Sequence, residues 1–158
     1  MADTRAGPDS EAFERVYRSE RDRLRRVAYL MTRRHDVADE LVHDAFERLH
    51  QRWGTVEVPP AFLRTTLVRL CLTWRDRAAM GAARESRSGA AGRVDPPEID
   101  EMWDLLARLP REQHVALVLR FYEDLPVDEI ARVMGCRPST ARTRIHRALT
   151  RLREEMTP

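Results

Sequence analysis

Apolar residues recur every three to four positions along most of the chain, and no stretch shows the two-residue alternation of a strand. The first such segment runs from Ser10 to Arg34, and a second begins at Asp36. Ser10 and Asp36 are the expected N-caps, because their side-chain oxygens can accept from first-turn N–H groups. A third segment begins near Pro60, a residue suited to the first turn of a helix. The pattern predicts an all-α protein.

The long interruption of this pattern is the segment 80–97, which is rich in Gly, Ala, Ser, Arg and Pro and has no apolar periodicity. We interpret it as a flexible linker between a first helical module over residues 10–79 and a second over 98–156. As a flexible coil it would span about 25 Å. Two small modules could therefore sit apart on one long partner.

The chain of 158 residues has 28 basic residues, all of them arginine, against 26 acidic ones, for a net charge of +2. Arginine suits phosphate and guanine recognition, although a GC-rich genome would produce the same bias. Cys71 and Cys136 lack the spacing of metal ligands or of a disulfide framework, so we expect no metal and no cofactor. No nucleophile motif or phosphate-binding glycine loop is present, which argues against an enzyme.

No apolar run reaches the length of a signal peptide or of a membrane span. We therefore expect a cytoplasmic protein without membrane insertion.

The last part of the chain has the pattern of a helix-turn-helix: a short helix before Gly135, a turn, and a longer basic helix to about Glu155. On that final helix Arg142, Thr143, His146 and Arg147 share one face near the N-terminus. This is where a recognition helix meets base edges in the major groove. The alternative is a solvated arginine-rich face.

The helix that begins at Asp36 has the opposite charge. Glu40, His43, Asp44 and Glu47 line one side of it, and no arginine occurs between Asp36 and Glu47. The functional interpretation is a docking face for a protein partner with a basic surface. An ordinary hydrated helix face is the alternative.

Around the third helix the charge is positive again, and aromatic residues are interleaved with arginines. Single-stranded nucleic acid is bound in this way, since bases stack on rings while cations follow the phosphates. Trp74 and Phe62 fall near the apolar stripe and are expected in the core, whereas Trp53 is the better stacking candidate. The arginines of this helix include Arg64, Arg69 and Arg75.

Motifs in both halves, taken in order, resemble those of bacterial RNA polymerase sigma factors of the extracytoplasmic-function (ECF) type, in the sigma-70 family. They are DVADELVHDAF (36–46), AFLRTTLV (61–68), LPREQ (109–113), LRFYEDL (119–125), EIA (129–131), STARTR (139–144) and RAL (147–149). The resemblance implies a region 2 bundle and a region 4 helix-turn-helix. It also implies core RNA polymerase and promoter DNA as partners, an anti-sigma factor as a further candidate, and a monomer when free.

The resemblance further implies roles for individual residues. Docking on core polymerase would use the acidic face, Glu40, His43, Asp44 and Glu47. The −10 element would be contacted by Trp53, Arg64, Arg69 and Arg75. The −35 element would be read by Arg142, Thr143, His146 and Arg147, with Thr140 near a phosphate. Three positions depart from the family: Arg69 stands for a frequent Asn, His114 for an Arg, and Arg137 for a Ser helix cap. The alternative function is a stand-alone helix-turn-helix regulator, which would bind a palindromic duplex as a dimer.

Overall fold

A computed structural model describes residues 9–82 and 97–157 of the chain, and these residues contain seven α-helices and no strand. The all-α prediction is confirmed. The helices are α1 (Ser10–Thr32), α2 (His35–Gln51), α3 (Pro59–Ala82), α4 (Pro97–Ala107), α5 (Arg111–Leu117), α6 (Val127–Met134) and α7 (Pro138–Met156). A 3₁₀ turn covers Trp53–Thr55 and a π-helical turn covers Val118–Tyr122. Of the linker expected over 80–97, residues 83–96 lie outside the described residues.

Two helix starts differ from the expectation. Asp9, rather than Ser10, caps α1, accepting a hydrogen bond from the Glu11 N–H at 3.3 Å. Asp36 does not cap α2, which begins at His35; its carboxylate instead accepts from the Arg34 guanidinium at 2.7 Å. A charge-assisted hydrogen bond is stronger than a bond to a neutral backbone N–H, so the Asp36 carboxylate bonds Arg34 rather than capping the helix.

The helices α1, α2 and α3 pack on one another and form the first module. Their buried residues recur at helical spacing, with two departures from the stripes that the sequence predicts: Tyr17 on α1 is exposed, and on α2 Leu41 is only partly buried while Val42 is buried. The third helix also continues to Ala82 rather than ending at Ala79, although it then includes Gly81, a residue of low helix propensity.

The helix-turn-helix is confirmed in the second module, which comprises α4 to α7. Gly135 ends α6 with a left-handed φ of 68°, and the Cys136 N–H donates to the Ala131 carbonyl at 2.9 Å. Glycine adopts this conformation without the steric cost of a Cβ. Arg137 precedes α7 without a side-chain cap, and α7 packs on both α5 and α6.

The two modules are in contact rather than apart. Helix α3 packs on α5 and α6, and α1 packs on the π-helical turn. A single buried apolar cluster runs through both modules and includes Leu24, Leu63, Leu67, Val115, Val118, Leu119 and Ile130. The chain therefore closes on itself in this structure, an arrangement that the sequence did not predict.

Candidate polymerase and nucleic-acid interfaces

The acidic face of α2 is accessible. Glu40, His43 and Glu47 are exposed, and the Asp44 side chain is 40% exposed. Asp44 lies 3.4 Å from the Arg48 guanidinium, and His43 Nε2 lies 3.6 Å from the Glu47 carboxylate. Exposed pairs of this kind contribute little to stability, so a protein partner can replace them at low cost.

The basic face of α7 is also accessible, with Arg142, Thr143, His146 and Arg147 exposed and Thr140 partly buried. The Thr143 hydroxyl donates to the Ser139 carbonyl at 2.9 Å, one helical turn earlier. Within residues 9–82 and 97–157, no ion pair joins Arg142 or Arg147 to an acidic side chain. Both guanidiniums therefore keep their donors available to a nucleic acid.

Two of the predicted −10 arginines of α3, in contrast, are bonded to side chains of the second module. Arg64 is 16% exposed and donates to Glu123 at 3.2 Å and to Glu129 at 3.3 Å, both in the second module. Arg75 lies 2.7 Å from His114 Nδ1, also across the interface. Arg69 is exposed. Two of the three predicted −10 arginines are thus covered by the second module.

Trp53, the predicted stacking residue, is partly buried at the end of the first module. Its ring lies edge-on to Phe13 with centroids 5.6 Å apart, and Phe13 in turn contacts Phe46. Edge-to-face packing of this kind stabilises the local structure. The ring therefore has a structural role in this conformation.

His114 is a buried residue that sequence reasoning marked only as a departure from the family. Burial, followed by the nearby Arg75 guanidinium, lowers its pKa to about 3, while the Leu30 backbone carbonyl acts in the opposite direction. Burial and then Arg111 also lower the pKa of Arg75. His114 is consequently neutral, and its Nδ1 accepts from Arg75.

Glu123, missed by sequence reasoning, is the most strongly bonded acid of the interface. Its side chain is 5% exposed and contacts Arg23 as well as Arg64. The π-helical turn brings it there: the Glu123 N–H donates to the Val118 carbonyl at 3.1 Å, and Asp124 follows with φ of 55°. Such widened turns often occur at functional positions. No local signal could have found these pairs, because the partners are 100 and 59 residues apart.

A groove with an apolar lining lies between α4, the π-helical turn and α7. Met102, Phe121 and Met156 are between 57% and 74% exposed along it, and Tyr122 is 39% exposed. The helical spacing of apolar residues in this part of the sequence predicts that Met102 and Tyr122 are in the core, and this prediction is wrong, since both are exposed. Among the described residues, no helix covers this face.

Two models of a known protein family match this chain, one in each module. Residues 16–80 match the family model for sigma-70 region 2, and residues 99–152 match the model for sigma-70 region 4. The chain belongs to the sigma-70 family. As a sigma factor it binds core RNA polymerase and directs transcription initiation at promoters, which excludes the stand-alone regulator as the main interpretation.

The curated relatives are sigma factors of the ECF type. The chain is 28% identical over 151 residues to the RNA polymerase sigma-E factor of Streptomyces coelicolor, covering 91% of this chain and 85% of the relative. It is 29% identical over 150 residues to the ECF RNA polymerase sigma factor SigM of Mycobacterium tuberculosis, covering 91% and 76%. Both matches include the two modules, so this sigma factor has the ECF organisation.

A solved structure shares the fold. The sigma factor RpoE of Bartonella quintana, crystallised with the anti-sigma factor NepR, aligns with a TM-score of 0.77 at 21% identity, covering 94% of this chain and 99% of that one. Among the residues that this structure describes, no helix has the length and apolar character needed to cross a membrane, and no cluster of side chains is suited to a metal ion.

Proposed function

We propose that this sigma factor works through three separate surfaces. They are the acidic face of α2 for core polymerase (Glu40, His43, Asp44, Glu47), the basic face of α7 for the −35 element (Thr140, Arg142, Thr143, His146, Arg147), and the surface around α3 for the −10 element (Trp53, Arg64, Arg69, Arg75). The supporting observation is that the faces of α2 and α7 have opposite charge and are both open to solvent.

On α7, the exposed arginines near the N-terminus are suited to guanine edges and phosphates. A guanidinium can donate two parallel hydrogen bonds to guanine O6 and N7, and each such pair contributes about 1–3 kcal/mol of discrimination. Ala141 and Ala148 are fully buried on the opposite side, so the apolar stripe holds the helix with its arginines outward. This supports Arg142 and Arg147 as readers of duplex DNA.

The −10 role requires a different arrangement of the modules. Arg64 and Arg75 are bonded to Glu123, Glu129 and His114, so they can meet DNA only after α3 separates from the second module. We assign this separation to the encounter with polymerase or promoter. In the closed form Arg69 alone of the three arginines is exposed.

The wider role follows from the family. We assign the protein to the cytoplasm, where polymerase and DNA are, and assign it no catalytic activity of its own.

We also propose an anti-sigma factor as its regulatory partner, since the structurally similar RpoE was crystallised with one. Co-expression with neighbouring genes followed by purification of the sigma factor would test this, and recovery of the sigma factor alone would contradict it.

The main test is run-off transcription from genomic fragments with purified core polymerase, with and without this chain. Asp44→Arg is expected to weaken core binding in a pull-down, because it reverses charge on the α2 face; Asp22→Arg, an equally charged change on exposed α1, is the control. Arg147→Ala is expected to lower transcription while leaving core binding intact, with exposed Arg15→Ala as control. Loss of core binding in Arg147→Ala would overturn its assignment to DNA.

A further inference from the structure

The interface between the modules holds a nearly buried carboxylate, that of Glu123, and its partners among the described residues all belong to the first module. Arg23 donates to both oxygens of Glu123, from Nε to Oε1 at 3.1 Å and from Nη2 to Oε2 at 2.8 Å. Arg64 Nε donates to Oε2 at 3.2 Å. Both arginines belong to the first module and Glu123 to the second. Two-point bonding of this kind fixes orientation as well as contributing energy.

Glu129 adds a second link on the same arginine. Its Oε1 accepts from Arg64 Nη1 at 3.3 Å, and its side chain is 37% exposed, against 5% for Glu123. The Arg64 guanidinium therefore lies between two carboxylates, which accept the same N–H donors that a phosphate would accept. In this structure the second module already bonds the donors that Arg64 would offer to a phosphate.

We propose that Glu123 is an ionic latch that holds the two modules closed and keeps Arg64 from nucleic acid until they separate. The closing role stands on the contacts of Arg23 and Arg64 alone, and only the link to DNA rests on the proposed function. The buried apolar cluster that crosses the interface also stabilises the closed form, but hydrophobic burial is non-directional and does not specify the relative orientation of the modules. The ion pairs determine which faces meet.

The physical reason is an asymmetry between the closed and open forms. If Glu123 loses its charge, Arg23 keeps its 3.7 Å contact with Glu20, and Arg64 keeps its bond to Glu129. The two guanidiniums then remain close together in the closed form without the carboxylate they shared, whereas both are hydrated once the modules part. The penalty falls on the closed form, so Glu123→Gln is expected to shift the equilibrium toward the open form at least tenfold.

Fluorescence energy transfer in the full-length chain measures this directly. Dyes are attached through Ser19→Cys on α1 and Thr150→Cys on α7, both exposed, in a Cys136→Ser background where the remaining Cys71 is buried. We expect one high-transfer population for the parent and an added low-transfer population for Glu123→Gln. An unchanged distribution in Glu123→Gln would overturn the latch.

A matched control separates the latch from charge in general. Asp124→Asn removes the same charge from the adjacent exposed residue, and asparagine tolerates its φ of 55°. We expect Asp124→Asn to keep the parent distribution. Arg23→Gln removes two of the three bonds to Glu123, leaves the bond from Arg64, and is expected to open the chain as well. This second variant provides the test if Glu123→Gln folds poorly.

The link to DNA is tested with a single-stranded oligothymidylate. Glu123→Gln and Arg23→Gln change the net charge in opposite directions, yet both should bind the oligonucleotide at least threefold more tightly if opening releases Arg64. Tighter binding for Glu123→Gln with weaker binding for Arg23→Gln would show a plain charge effect and overturn the link. Opening without any gain in affinity would uphold the latch and count against Arg64 as a −10 residue.

Discussion

The arginines of α3 and those of α7 belong to the same residue type and are assigned to the same ligand, yet they are in opposite states. Arg64 and Arg75 are covered and bonded to the second module, while Arg142 and Arg147 are exposed and have no acidic partner among the described residues. The difference comes from what the tertiary structure places opposite each helix. A positive stretch in a sequence can thus be a ready binding face or a covered one.

The two surfaces also differ in what a mutation should disturb. A change on α7 should act on DNA binding alone, since nothing in the fold depends on its exposed guanidiniums. A change on α3 should act on the fold as well, because each covered arginine satisfies a buried partner. Three comparisons test this contrast.

The largest effect is expected from Arg64→Ala. It leaves the nearly buried Glu123 with Arg23 alone and removes the bond to Glu129. Because Glu123 keeps its two bonds to Arg23, the loss of these charge-assisted bonds should cost about 1.5–3 kcal/mol of unfolding free energy. The exposed Arg142→Ala should change it by less than about 0.5 kcal/mol. Urea unfolding followed by circular dichroism measures both, and equal losses would contradict the contrast.

His114 predicts a pH dependence specific to the interface between the modules. Its pKa is about 3 in the folded protein and 6.5 ordinarily, so below pH 6.5 the unfolded chain binds a proton that the folded one does not. Stability from this group is complete above pH 6.5 and is lost as the pH falls toward 3. The loss between pH 7 and pH 5 is about 2 kcal/mol.

Unfolding free energies at several pH values check this dependence. His114→Gln should remove the part of the slope due to this group, whereas Thr143→Ala, on the exposed face of α7, changes no titratable group and should leave the slope as it is. A parent-like slope in His114→Gln would show that the dependence arises elsewhere.

The smallest effect is expected on α7. Arg142→Ala in the holoenzyme should reduce the slope of log affinity against log salt concentration for promoter duplex by about 1, because one fewer phosphate charge is neutralised. Arg15→Ala, on exposed α1, is the matched control. Titrations at several salt concentrations measure the slope, and a parent-like value for Arg142→Ala would show that this residue neutralises no phosphate.

Much of the fold was predictable because it rests on local pattern. Helical spacing identified the helices, and Gly135 marked the turn of the helix-turn-helix, since its left-handed conformation is a local requirement. The sequence did not show that the side chains of Trp53, Arg64 and Arg75 are partly covered, because their contacts involve residues distant in the chain. The roles of all the predicted site residues stay predictions until the variants are measured.

The amino-acid order alone determined that the chain is helical, that acidic and basic faces lie on different helices, and that its motifs are those of a sigma factor. The first two properties follow from spacing within a single helix, which a sequence displays directly, whereas the third is a resemblance of motifs. Only the tertiary structure decided that the modules close on each other and that Glu123 lies between Arg23 and Arg64. Pairing across 100 and 59 residues depends on how helices pack, and no periodicity within a helix encodes it.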